Sequence, residues 1–275
     1  MPKASLTPLL SAQGLDVAYG GVRAVRGFSL DLAPGEIVGL VGESGSGKSS
    51  VLRAIAGLLG RSGAVSAGRI VFQGEDLAAA SSNRLAALRG SGIAYVFQDP
   101  VASLDPLSKV GRQFDECLAT HGIAKAERRS IEDAYLQEMG FGDPGRVLAS
   151  YPHELSGGMC QRVVLAMSAA LDPALLLADE PTSALDVASQ GQVSRLLLRM
   201  RAEHGCSMLV VSHNIGAISL VADRIGVMRA GELVEIGERD QVLHAPVHPY
   251  TKELIAAVPR AGRNLICEAG QREGA

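Results

Sequence analysis

Eight consecutive residues of this 275-residue chain, Gly42-Glu43-Ser44-Gly45-Ser46-Gly47-Lys48-Ser49, have the types and spacing needed to hold a polyphosphate. Glycines let successive backbone N–H groups turn inward around phosphate oxygens. Lys48 offers a positive charge to the terminal phosphates, and the Ser49 hydroxyl offers an oxygen to Mg2+. Ser50 continues the polar run. The competing reading is a chance Gly-rich turn, but the surroundings argue against it. Glu36–Val41 reads as a short buried strand, and Val51, Leu52, Ile55, Leu58 and Leu59 have helical spacing from Lys48 onward. A helix starting there aims its positive end at the loop.

Hydrolysing a polyphosphate also needs carboxylates. The apolar run Leu175–Ala178 ends in Asp179 and Glu180. Asp179 is suited to steady Mg2+ through its water shell, and Glu180 to orient and polarise an attacking water. In isolation the same residues read as a strand followed by a solvated acidic turn. A third element, Leu155-Ser156-Gly157-Gly158-Met159, stands just before an apolar-faced helical stretch, Gln161–Leu171. The Ser156 hydroxyl, the N–H groups about Gly157 and Gly158 and the helix dipole together make a second anion site. Alone, this would be a capped helix start. One nucleotide does not need two phosphate sites in one chain unless the second serves a partner's nucleotide.

Several elements must position these groups. Leu15–Tyr19 and Val22–Leu32 read as strands, Gly68–Leu77 as a strand and turn, and Ile93–Phe97 as a buried strand. Between Gln98 and His153 the pattern changes to charged helical stretches such as Lys125–Met139, punctuated by Asp-Pro pairs. Strand and helix then alternate through Leu175–Ala178, Val187–Glu203, Ser207–Val211, Asn214–Ala222 and Arg224–Met228, which favours a parallel sheet. Beyond Arg239 come a short helix, a break at His248-Pro249, another helix and a polar tail.

Bulk properties narrow the classes. A formal charge of −3 argues against electrostatic binding of nucleic acid. Mean hydropathy is +0.18, high enough to prompt a search for spans. The richest apolar stretch, Val163–Ala178, is broken by Asp172-Pro173, short of the ~18 apolar residues a spanning helix needs. Met1–Ser5 lacks the charged and apolar regions of a signal peptide. Cys117, Cys160, Cys206 and Cys267 are scattered, so reduced thiols are expected rather than a zinc site or a disulfide framework.

Taken in order, these elements resemble the ATP-binding subunits of ABC transporters over essentially the whole length. Gly42–Ser49 matches Walker A, Leu155–Met159 the LSGGQ-type signature, and Leu175–Glu180 Walker B with its catalytic Glu. The resemblance implies an α/β fold: a P-loop NTPase (RecA-like) core with an N-terminal antiparallel β subdomain and an inserted helical subdomain. It places the ATP-binding domain at 5–245, with the helical insertion at about 99–160, and a short C-terminal extension at 246–275. Gln98 looks like the Q-loop Gln, expected to meet Mg2+ or the attacking water and to sense the membrane partner. Ser183-Ala184-Leu185-Asp186 looks like the D-loop and His213 like the switch His at the γ-phosphate. Tyr19 stands where the family stacks an aromatic on adenine, though it could equally pack across a sheet. ATP and Mg2+ are the implied cofactors.

A narrower resemblance, to importers of oligopeptides, dipeptides and nickel, is carried by Tyr151-Pro152-His153-Glu154, Phe97-Gln98-Asp99-Pro100, Ser103-Leu104-Asp105-Pro106 and His248-Pro249-Tyr250-Thr251. It implies a second ATPase subunit, identical or not, two transmembrane permeases, an extracytoplasmic substrate-binding protein, and a peripheral place on the cytoplasmic face of the inner membrane. The cargo implied is an oligopeptide or dipeptide. The alternatives are nickel or another small solute, or a non-transport soluble ABC ATPase. An ABC ATPase acting on DNA would carry a long coiled-coil insertion, for which 98–153 is too short. Peptide-handling members often hold an iron–sulfur cluster on four cysteines in the C-terminal extension; this chain has only Cys267 there, so no cluster is expected. Cys160 stands where the subfamily usually has a basic residue, a departure that bears on coupling or partner preference.

Overall fold

A computed structural model describes residues 7–183 and 185–257. Two stretches separated in sequence, 7–86 and 207–257, form one compact unit, and the stretch between them, 87–206, forms another. The chain opens with strands β1 (Leu10–Tyr19), β2 (Val22–Leu32) and β3 (Ile37–Val41), then α1 (Lys48–Ile55), β4 (Gly63–Phe72), β5 (Glu75–Asp76) and α2 (Ser82–Leu88). Next come β6 (Ile93–Val96), α3 (Val110–Thr120), α4 (Lys125–Glu138), α5 (Pro144–Ala149), a 3-10 turn (Pro152–Glu154), α6 (Gly157–Ala169), β7 (Leu175–Asp179) and α7 (Val187–His204). It continues through β8 (Ser207–Ser212), α8 (Ile215–Ser219), β9 (Arg224–Arg229), β10 (Glu232–Glu238), α9 (Arg239–His244) and α10 (Pro249–Ala256).

In the first unit an antiparallel sheet runs in the order β2-β1-β4-β5. Leu10 faces Leu32 on one side and Phe72 on the other, while Leu10, Ala12, Leu15 and Val17 of β1 are all buried. That is the inward half of a strand with one face on the core. The partner strand explains why β4 begins at Gly63 rather than Gly68: Tyr19 and Val17 offer paired backbone to Gly63 and Val65. β3 lies between β8 and β9, parallel to both, with Ile37 opposite Met208 and Val38 opposite Arg224. All five residues of β3 and all six of β8 are buried, as a parallel sheet covered on both faces requires. Strand β10 returns antiparallel to β9. It is half-buried along most of its length, so it carries no clean alternation, and the sequence reading does not anticipate it.

Helix α1 stops at Ile55 instead of reaching Leu59. Its end is a Schellman arrangement, with the Leu58 N–H donating to Arg53 O (2.7 Å) and the Gly57 N–H to Ala54 O (3.2 Å). Leu58 and Leu59 therefore belong to the turn toward β4. The second unit sets β6 parallel to β7, Ile93 opposite Leu175 and Val96 opposite Ala178. Its helical part buries Phe114, Leu118, Leu136, Met139 and Val163 completely. Among the described residues no helix is long and apolar enough to cross a membrane, and no group of His, Cys, Asp and Glu could hold a metal ion by itself.

Helix α8 lies directly on β3 at Gly39, where an added Cβ would stand 2.2 Å from Ile218 Cγ2. Gly39→Val should cost about 1–3 kcal/mol in urea unfolding through overpacking. Ile218→Ala in the same chain should return part of that loss. A strictly additive double variant would show that the two residues do not share this space.

Candidate phosphate loop, acidic strand end and signature helix

The loop after β3 is shaped by backbone crowding. Gly42 has φ 151, and a Cβ there would lie 2.1 Å from the Met228 carbonyl oxygen on β9. The loop closes through Ser46 N–H to Glu43 O (3.2 Å) and Gly231 N–H to Ser46 O (3.1 Å), which ties it to the β9–β10 turn. Lys48 is buried, and its ammonium folds back to donate to Gly42 O (2.8 Å), Glu43 O (2.7 Å) and Ser46 Oγ (3.2 Å). An ammonium withdrawn from water needs such oxygens. No side chain caps the start of α1, and no acidic residue stands in its first turn. Glu43, Ser44 and Gly45 are exposed while Ser46 is buried. Such a loop, with its lysine and its uncapped helix, fits a polyphosphate.

Two more sequence-selected residues lie in this unit. Tyr19 ends β1 opposite Val22 and Gly63, and a Cβ on Gly63 would stand 2.7 Å from Tyr19 Cε1. One side of the ring is thus packed, and the hydroxyl is buried with no hydrogen-bond partner among the described residues. His213 is exposed directly after β8, followed by Asn214, whose Oδ1 caps α8 by accepting from the Gly216 (2.9 Å) and Ala217 (3.3 Å) N–H groups.

The second unit carries the carboxylates. β7 delivers Asp179 in a buried position, where Tyr95 Oη donates to its Oδ2 at 3.2 Å. Glu180, also buried, has φ 53, the left-handed region that a residue with a Cβ enters only when its surroundings hold it. Those surroundings are visible: Glu180 O accepts from Ser183 N–H (3.2 Å), Ser183 Oγ (3.1 Å) and Gln161 Nε2 (3.4 Å). Gln98 is exposed two residues past β6.

Helix α6 starts at the signature. Exposed Ser156 is its N-cap, with Oγ accepting from the Met159 N–H at 3.3 Å, and Gly157 and Gly158 form the first helical positions. Arg162 fixes the helix from the side, donating to Met139 O (2.9 Å) and lying 4.4 Å from the Phe141 ring centroid; burial lowers its pKa. Cys160 is completely buried, with Sγ 3.5 Å from Pro152 O, so it looks into the unit rather than outward. Burial pushes its thiol up, and pushes that of Cys206 up to about 12. Cys267 lies outside the described residues, as does Ala184 of the D-loop run. Asp186 acts as the N-cap of α7: its Oδ1 accepts from the Ser189 N–H (2.9 Å) and its Oδ2 from Ser189 Oγ (3.1 Å). Those Ser189 bonds, the backbone one foremost, hold its carboxyl below the usual range.

Sequence reasoning did not single out Tyr95 or Gln161. Each had only a weak signal, a polar residue inside an otherwise apolar element: Tyr95 in β6 and Gln161 in α6.

A buried strand, a Gly-rich loop and an uncapped helix with its buried lysine define a P-loop NTPase fold. Comparison with known proteins gives the family. Residues 25–183 match the family model described as ABC transporter, and 234–274 the one described as oligopeptide/dipeptide transporter, C-terminal region. The dipeptide transport ATP-binding protein DppD of Bacillus subtilis is 44% identical over 93% of this chain and 78% of its own length. The oligopeptide transport ATP-binding protein AmiE of Streptococcus pneumoniae is 40% identical over 89% and 70%. Among solved structures, an ATP-binding cassette dimer in a post-hydrolysis state, bound to ADP and Pi, matches with TM-score 0.75 and 26% identity over 84% of this chain and 98% of that one. cbiO1 of Clostridium perfringens, part of an ABC transporter complex, gives 0.74 and 27% over 94% and 98%. The chain belongs to the ATP-binding proteins of the ABC transporter family.

Gly42→Ala sets a Cβ against backbone, whereas Gly45→Ala, with φ 80, meets open space. Both strain the backbone by about 1–3 kcal/mol, but only Gly42 adds the collision. Urea unfolding should therefore show the larger loss for Gly42→Ala, with nucleotide binding abolished. Equal losses would show that the loop yields at Gly42.

Proposed function

We propose that this chain is the ATPase subunit that energises an importer of oligopeptides or dipeptides, acting as one half of a head-to-tail pair. The observation that carries the cargo class is the match of residues 234–274 to the oligopeptide/dipeptide transporter C-terminal region, supported by the peptide-transport names of the relatives. The ATP-binding domain is read as 5–245 and the extension as 246–275.

The roles follow from residue chemistry. The Gly42–Gly47 amides and Lys48 hold the phosphates of ATP, with Ser49 and Ser50 at the helix start and Tyr19 against adenine. Ser156, Gly157 and Gly158 cap the nucleotide of the partner subunit, and Asp186 carries its state across the pair. Bound by Ser49, Gln98 and Asp179, Mg2+ would offset the charge of the β- and γ-phosphate oxygens. Glu180 takes the proton of the attacking water as its oxygen bonds to the γ-phosphorus and the bond to the bridging oxygen breaks. His213 and Gln98 steady the γ-phosphoryl group in transfer and the attacking water. Tyr95 keeps Asp179 in place by its hydrogen bond, so it positions rather than reacts. The partners are a second ATPase subunit, two permeases and an extracytoplasmic substrate-binding protein, with no nucleic acid, and the place of work is the cytoplasmic face of the inner membrane.

Glu180→Gln should retain ATP binding, lower turnover at least ~100-fold, and accumulate an ATP-bound dimer on size exclusion. Turnover at the wild-type rate would remove Glu180 from the chemistry. In a mixed dimer carrying Ser156→Arg in one subunit, hydrolysis should fall at the site whose Lys48 belongs to the other subunit. Loss confined to the variant's own site would sink the head-to-tail arrangement. For the cargo, ATPase activity of the reconstituted complex should rise with peptide-loaded binding protein; stimulation by Ni2+ alone would overturn the peptide reading.

A further inference from the structure

The His248-Pro249-Tyr250-Thr251 run has no part in the phosphate chemistry, yet the fold holds it at several points. Glu235 on β10 accepts from the Val247 N–H through Oε1 (2.8 Å) and from the His248 N–H through Oε2 (2.9 Å), which fixes the turn into α10. His248 Nδ1 accepts from the Tyr250 N–H at 3.2 Å as the N-cap, and Pro249 occupies the first turn. Thr251 is fully buried. These constraints aim Tyr250. It is 3% exposed, its ring lies 4.7 Å from the Arg229 guanidinium, and its Oη accepts from the Glu43 N–H at 3.1 Å.

That hydrogen bond reaches across 207 positions of sequence to the second residue of the phosphate loop. The carbonyl of the same residue accepts from Lys48 Nζ at 2.7 Å. Glu43 is therefore held from both sides, by an aromatic hydroxyl from α10 and by the Lys48 ammonium.

We infer that Tyr250 is a positioning residue of the nucleotide loop, keeping the Glu43 carbonyl turned to Lys48 and so linking the seating of α10 to nucleotide affinity. The inference rests on the nucleotide reading of the loop. Without the hydroxyl the loop samples other arrangements, and binding must restore the competent one, which weakens the apparent affinity by the lost fraction. By linkage, an occupied loop in turn seats α10 more firmly.

The test is calorimetric titration of the full chain with ADP, for wild type, Tyr250→Phe and Glu235→Gln, with melting of the nucleotide-free proteins alongside. Tyr250→Phe keeps the ring and its contact with Arg229. Its ADP affinity should fall roughly three- to ten-fold, the range of one neutral hydrogen bond, with binding stoichiometry unchanged. Glu235→Gln, which loosens the turn before α10, should shift affinity in the same direction. The KM for ATP should rise with kcat held. Wild-type affinity in Tyr250→Phe overturns the proposal, whether or not its melting temperature falls, because Tyr250 would then only pack. Failure of the wild-type chain to bind ADP overturns the nucleotide reading and the proposal together.

Discussion

The buried ammonium of Lys48 sets the terms for the phosphate loop and for the unit that carries it. A primary amine taken out of water must find oxygens, and here they come from the loop itself: two carbonyls and the Ser46 hydroxyl. The loop can bend back far enough to supply them only if the chain leaves β3 along a path closed to side chains, beside the Met228 carbonyl. That path in turn needs β9 alongside β3, and β9 needs β10 and the turn at Gly231, whose N–H fastens Ser46. The apolar strands thus serve as a rigid frame for one charged group.

In the second unit a comparable economy joins two functional runs. Gln161, five positions beyond the signature serine, reaches the backbone carbonyl of Glu180. Helix α6 therefore touches the acidic strand end through a side chain with no exposure to solvent. With Arg162 fastening the same helix to Met139 and Phe141, the start of α6 and the turn at Glu180 are parts of one packed body.

Much of this was legible in the sequence because the phosphate loop, the acidic strand end and the signature are local: each needs fewer than ten consecutive residues and declares itself by glycine, charge and apolar flank. The buried strands β3, β7 and β8 were legible for the same reason, as apolar runs bounded by turns. What escaped depends on distant partners. Strand β10 has neither alternation nor a wholly apolar run, and only β9 makes it a strand. The early start of β4 depends on β1. Asp186 reads from sequence as part of the D-loop run, and its side chain also caps α7; Cys160 reads as a departure that bears on coupling or partner preference, and it is seen to be interior. No local pattern tells which way a helical side chain faces until the helix has something to pack on.

The left-handed backbone at Glu180 sets a cost on which residue can stand there. The fold alone would rather have glycine or asparagine there, residues that enter this region at little cost. Mutation toward either relaxes the backbone of the turn, whose carbonyl is held by Ser183 and Gln161. A glutamate at this position is therefore one that the backbone tolerates rather than favours, at a cost of about 1–3 kcal/mol.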